Sequence, residues 1–208
     1  MLLGGLNNQQ VFINCPFDDP YKSLLRPLLF TLCYLGFSPR IASESLNSAE
    51  NRIDKICALI QQTKLSVHDL SRCTSTTANE FFRLNMPFEL GIDYGFSFFN
   101  HLNKKMLILE GERYHYQKTL SDLSGVDVKC HNNKPEEMVG CIRHWVVLIR
   151  RTQNEDSPSL IWSRFTDFTS DFYDDRKAHG FSDKDLNDMP TPEYIDAIKK
   201  WLLDNRVG

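Results

Sequence analysis

Short apolar runs of β-favouring residues recur along the chain to about residue 150, each followed by a segment with helical periodicity. This alternation of strand and helix, repeated about five times, restricts the fold more than any other feature, because it implies a parallel sheet covered by helices on both faces. The strands are expected at Gln10–Cys15, Ser38–Ser43, Leu65–Leu70, Lys105–Glu110 and Val126–Cys130. Right-handed crossovers leave few topologies, and the order 2-1-3-4-5 is favoured. That order is the flavodoxin-like doubly wound sheet, whose ligand cleft lies between strands 1 and 3, outside their carboxyl ends. Two segments lead into this cleft: Asn14–Tyr21 after the first strand and Asp69–Glu89 after the third.

Local signals place the helices. Asp19 precedes Pro20 as an N-cap, and leucines then run to a stop at Gly36. Pro27 is expected to kink this helix or to mark a shift in its start. Asn47-Ser48-Ala49-Glu50 has the form of a capping box. Ile53, Ile56, Cys57 and Ile60 follow as an amphipathic stripe. Pro87 opens a helix from Phe88 to about Asn100, Tyr114–Leu123 reads as a short helix, and Glu136–Arg151 as a long one. Residues 1–152 thus make an α/β domain, and residues 153–208 a C-terminal helical appendage serving as a lid or a contact surface. The appendage has a linker-like start (153–158), an aromatic-rich stretch (160–173), a charged stretch around Asp183, Lys184 and Asp185, and a final helix Thr191–Asn205.

Composition narrows the partners. The 208 residues are 41% hydrophobic and 25% charged, as in an ordinary globular chain. The net charge is −3 and the basic residues are scattered, so no basic face marks a nucleic-acid partner. No run approaches the ~18 uninterrupted apolar residues of a spanning helix. The polar N-terminus has no apolar core of a signal peptide, so the expected location is cytoplasmic, with the six cysteines reduced and no membrane partner.

Chemistry concentrates at the cleft. With Pro87 near the first position of its helix, Glu89 falls at about the third, where the helix dipole favours an ionised carboxylate, suited to a nucleophile or to stabilising positive charge. The same placement is also routine for a helix start. Gly91 would let this helix approach the sheet. Asp69 ends a central strand and either orients a ribose hydroxyl or base, or caps its own loop through an Asx-turn. In the first loop Phe17 or Tyr21 could stack on a base and Asn14 could hydrogen-bond one; the bland alternative is a turn with a hydrophobic plug. The loop contains no glycine, so neither a dinucleotide fingerprint nor a P-loop is present. Arg52 and Asp54 fall early in the second helix; Arg52 could reach the cleft, and the favoured bland reading is a solvated face. Cys130-His131 with Cys141 and His144 can be drawn as four metal ligands, but the helix pattern puts the latter two on an amphipathic face, and no metal is expected.

Phe12-Ile13-Asn14-Cys15-Pro16-Phe17 resembles the opening of nucleoside 2-deoxyribosyltransferases. Asp69 at a strand end, followed by Phe88-Glu89-Leu90-Gly91, resembles their second half. The related TIR domains share the flavodoxin-like layout. The resemblance runs from about Val11 to Asn100, with departures at Met86-Pro87 and in the long loop after Asp69. It implies an N-glycosidase or (deoxy)ribosyltransferase acting on a nucleoside, nucleotide or NAD. Glu89 and Asp69 would be catalytic, and Asn14, Phe17, Tyr21 and Asn85 substrate-binding. No bound cofactor is implied, NAD being a substrate if it is used at all. Both families often assemble, which implies a homo-oligomer. The alternative is a non-catalytic, TIR-like nucleotide sensor or assembly module; bacterial immunity is the setting suggested by analogy.

Overall fold

The computed structural model describes residues 6–44, 49–73, 84–152 and 154–205. Strands β1 (Asn7–Asn14), β2 (Ser38–Ile41), β3 (Thr63–Asp69), β4 (Lys105–Glu110) and β5 (Lys129–Cys130) form one parallel sheet in the order β2-β1-β3-β4-β5. Helices α1 (Lys22–Tyr34), α2 (Arg52–Gln62), α3 (Asn85–Phe99) and α4 (Pro135–Arg150) flank it, and α5 (Pro158–Ala178), α6 (Asp183–Asn187) and α7 (Thr191–Asp204) follow. The fold is the flavodoxin-like doubly wound α/β sheet with C-terminal helices.

Side-chain alternation along each strand decides what lies on which face. Val11 and Ile13 of β1, Leu65 and Val67 of β3, and Leu107 and Leu109 of β4 pack together with α1 and α4. The intervening Phe12 turns the other way, to Ile56, Leu59 and Ile60 of α2. Ile108 likewise meets Met86 and Leu90 of α3. Helices α1 and α4 therefore cover one face, and α2 and α3 the other. Val11, Phe12 and Ile13 are all buried, as a central parallel strand covered on both sides requires.

Several local expectations are corrected. The chain enters α1 through a 3-10 turn, Asp19–Tyr21, and its cap is Asp18, whose side chain accepts the Tyr21 N–H. Helix α1 starts at Lys22 and runs on through Pro27 to Tyr34. The side chain that caps α2 is Asn51; the capping box read at Asn47–Glu50 falls partly outside the described residues. The Tyr114–Leu123 segment forms two 3-10 turns, Tyr116–Lys118 and Ser121–Leu123, rather than a helix. Carboxylate Glu110 organises this segment by accepting the N–H groups of Tyr114, His115 and Tyr116. The last strand is only Lys129–Cys130.

The C-terminal helices form a further layer on α1 and α4. Phe30 of α1 has its ring centroid 5.5 Å from both Phe165 and Phe168 of α5, and 6.1 Å from Trp201 of α7. These residues belong to the same continuous apolar core as the sheet or pack against it. The connection into α5 is tied down: Arg143 donates to the carbonyls of Glu155 and Asp156, and Tyr34 donates to the Asp156 carboxylate. Ser182 and Asp185 cap α6 reciprocally. Among the described residues no helix is long and apolar enough to cross a membrane.

Candidate functional site

The strand order reverses between β1 and β3, and the carboxyl ends of these two strands carry the buried polar residues Asn14, His68 and Asp69. Alternation sends neighbouring residues of β3 to opposite faces. Asp69, in phase with Val67, turns to the α1 and α4 side, while His68 turns to the side of α3 together with Asn14 of β1. Two separate buried networks result.

Asp69 is fully buried. Its Oδ2 accepts from the Tyr21 hydroxyl at 2.5 Å and faces His131 Nε2 at 3.0 Å. Its Oδ1 accepts from the Ser71 N–H at 2.8 Å and from the Ser71 hydroxyl. The Asn133 N–H donates to His131 Nδ1 at 3.2 Å, which places the ring proton on Nε2, toward Asp69. Burial by itself would raise the Asp69 pKa, but His131, Ser71 and Tyr21 outweigh it and hold the carboxyl below its ordinary value. Burial, reinforced by the charge of Asp69, pushes the Tyr21 phenol well above its ordinary value, so it remains a donor.

On the other face, Asn14 donates through Nδ2 to His68 Nδ1 at 3.0 Å and to the Met86 carbonyl at 2.8 Å. His68 Nε2 stands 3.1 Å from Asp93 Oδ2, and Lys104 Nζ is 2.6 Å from Asp93 Oδ1. Lys104 also donates to the Ile60 carbonyl at 2.6 Å. Burial would raise the Asp93 pKa, but His68 and Lys104 reverse this and hold it below the ordinary value. The bond from Asn14 to Met86 pins the first turn of α3 to the end of β1 and so fixes where Glu89 emerges.

Glu89 is 5% exposed, and burial raises its pKa to about 7, with Arg52 pulling in the opposite direction. This corrects the expectation of a fully ionised carboxylate at the third helical position. Helix α3 begins at Asn85, so Glu89 is its fifth residue, beyond the turn where the dipole acts strongly. Arg52 stands 3.8 Å from Glu89 Oε1, and its guanidinium is 5.8 Å from the centre of the Phe17 ring. The charges of both Asp69 and Glu89 act on the buried Cys15 thiol. Burial, with those charges adding, pushes the Cys15 thiol well up, so it is not a thiolate nucleophile.

The sequence-predicted residues separate into two groups. Asn14 and Tyr21 are buried and committed to hydrogen bonds within the protein, whereas Phe17 is 38% exposed and Asn85 is exposed. Gly91 does not mediate close packing: a Cβ there would meet nothing within 4 Å. Arg52 proves to be the neighbour of Glu89 rather than only part of a solvated face. Sequence reasoning missed His131 as the partner of Asp69, and missed the His68–Asp93–Lys104 chain. A signal for Asp93 was available, since it follows Glu89 by one helical turn on the same buried side. Among the described residues no group of three or more His, Cys, Asp or Glu is placed to hold a metal ion. Of the four ligands that could be drawn, His131 is bonded to Asp69 and His144 is exposed.

No family model, no curated protein and no solved structure matches the chain.

Proposed function

We propose that the protein cleaves or exchanges the N-glycosidic bond of a nucleoside, nucleotide or NAD, as an N-glycosidase or (deoxy)ribosyltransferase. The observation that carries this reading is Glu89, a desolvated carboxylate with a pKa raised to about 7, set beside Arg52 at the carboxyl edge of β1 and β3. Breaking a glycosidic bond develops positive charge at the anomeric carbon in an oxocarbenium-like transition state. A carboxylate deprived of water gains most when that charge appears, so it interacts more strongly with the transition state than with the neutral sugar. Ionised Glu89 attacks or stabilises the anomeric carbon, and water or a second base accepts the sugar. Asp69, its oxygens occupied by protein donors, acts as a positioning residue that fixes Tyr21, Ser71 and His131. The reaction draws on no bound cofactor, and NAD enters only as a substrate.

The test is incubation of the protein with NAD and a panel of nucleosides and nucleotides, reading released base by chromatography. Release that disappears in Glu89→Gln supports the reading. Absence of release across the panel at high protein concentration overturns it. A second reading, a nucleotide sensor that works by assembly, has its own observation: Phe88, Tyr94, Phe98 and Phe99 of α3 are all exposed. Ligand-dependent growth of the sedimenting species, unchanged by Glu89→Gln, would favour the sensor.

A further inference from the structure

A cavity of about 360 Å³ lies between the start of α1 and the segment that joins α6 to α7. Lys22, Arg26 and Arg52 line it together with Phe17 and Tyr194, and among the described residues no carboxylate lines it. The chain as a whole carries 27 acidic and 24 basic residues, so three cations and no acid among the described lining residues is a local departure from the average surface.

Carbonyls and rings help to hold the cations in place, and Arg26 is held by these alone among the described residues. Arg26 donates to the Leu186 carbonyl at 2.7 Å and lies 5.2 Å from the centre of the Tyr194 ring. Among the described residues Arg26 forms no ion pair with a carboxylate. Lys22 donates to the Asn187 carbonyl at 2.8 Å; its ion-pair partner Asp19, at 2.6 Å, does not line the cavity. Arg52 forms the wall nearest the candidate catalytic carboxylate, because the same guanidinium stands 3.8 Å from Glu89. Cations preset by carbonyls and rings, in a concave and partly apolar site, are suited to a phosphate, which guanidinium groups bind through charge-assisted hydrogen bonds.

We infer that this cavity binds the phosphate of a nucleotide whose sugar reaches Glu89, so that the substrate is a nucleotide rather than a free nucleoside. The inference rests on the reading of Glu89 as the carboxylate that meets the anomeric carbon. It gives the C-terminal segment a direct part in substrate selection, since the α6–α7 connection supplies one wall and the end of α6 the carbonyls that hold Lys22 and Arg26.

The experiment is calorimetric titration of Glu89→Gln protein, in which turnover does not intervene, with matched pairs of adenosine and AMP, cytidine and CMP, guanosine and GMP, and uridine and UMP, and with NAD. The expected result is that at least one monophosphate or NAD binds, with a monophosphate about tenfold or more tighter than its nucleoside, the size of one or two charge-assisted hydrogen bonds. Raising the salt concentration should shrink that margin, and inorganic phosphate should compete with the monophosphate. Lys22→Met and Arg26→Met, checked for folding by circular dichroism, should each reduce the margin while leaving nucleoside affinity in place. NAD binding without any monophosphate preference would assign the site to a pyrophosphate instead and overturn the monophosphate form of the inference. Equal affinity within every pair without binding of NAD, or no binding of any probe, overturns it altogether. Phosphate-dependent binding without base release from the unsubstituted protein would sink the glycosidase reading and leave the phosphate site standing.

Discussion

His131 Nε2 stands 3.0 Å from Asp69 Oδ2, and both side chains are fully buried. Removing one partner of such a pair leaves the other charged or polar group stranded, which typically costs about 3–5 kcal/mol. His131→Ala is therefore expected to lower the free energy of unfolding from urea titration by an amount in that range, seen as a lower midpoint with the slope unchanged. The Asp69 pKa is depressed in the folded protein, so its contribution is fully present above the ordinary value of 3.8 and is lost as pH falls through the lower folded value. In His131→Ala the folded pKa of Asp69 moves up toward its ordinary value, so the loss of stability on acidification should be smaller than in the natural protein. Identical acid-unfolding curves for the two proteins would refute this.

Glu89 works in the opposite sense. Its folded pKa is raised to about 7, so its contribution to stability is greatest below the ordinary value of 4.5 and falls as pH rises through about 7. Glu89→Gln should accordingly be more stable than the natural protein above neutrality, by up to about 3 kcal/mol. The gain should vanish near 4.5. Denaturant midpoints at the two pH values decide it, and a destabilised Glu89→Gln above neutrality would count against the burial argument.

The same ionisation predicts the shape of the reaction. If Glu89 acts as a carboxylate at the anomeric carbon, kcat/KM rises with pH and levels off with an apparent pKa of about 7. A falling limb at that position would mean that the protonated form acts, and would make Glu89 a general acid.

The Asp93–Lys104 pair should show strong coupling. Lys104→Met leaves a buried carboxylate with His68 as its one remaining partner among the described residues and should cost about 3 kcal/mol or more. Replacing both residues by apolar ones of similar volume should recover a large part of that loss. A double-mutant cycle in urea, showing simple additivity instead, would contradict the pairing.

Phe168 tests how the appended helices are attached. It is 1% exposed and stacks on Phe30 of α1, so Phe168→Ala should cost about 3–5 kcal/mol. Because α5, α7 and the sheet share one core, tryptophan fluorescence and far-ultraviolet dichroism should report a single shared transition. Separate transitions would show that the C-terminal layer unfolds by itself.

Strand order and helix positions were legible because apolar runs and leucine stripes have distinct periods, and because crossover handedness removes most alternatives. Helix boundaries were less so. Pro87 drew the start of α3 two residues late, since proline is as much at home within a first turn as at its first position. That small displacement changed the chemistry expected of Glu89 from dipole-stabilised to desolvated. Asp69 was visible as a strand-end acid, but its partner His131 lies 62 residues away in sequence, and only the three-dimensional sheet brings them together. Arg52 was legible as able to reach the cleft, but the solvated-face reading was favoured because its neighbours Glu89 and Phe17 arrive from other elements.

The phase of β3 has a consequence for how this sequence can change over generations. His68 and Asp69 are adjacent in the chain but serve networks on opposite faces of the sheet. Insertion or deletion of a single residue upstream of them in the strand would exchange their directions and dismantle both networks at once. Lineages descending from this chain can therefore alter length in the connections between strands, whereas within β3 they are confined to substitutions that preserve odd and even.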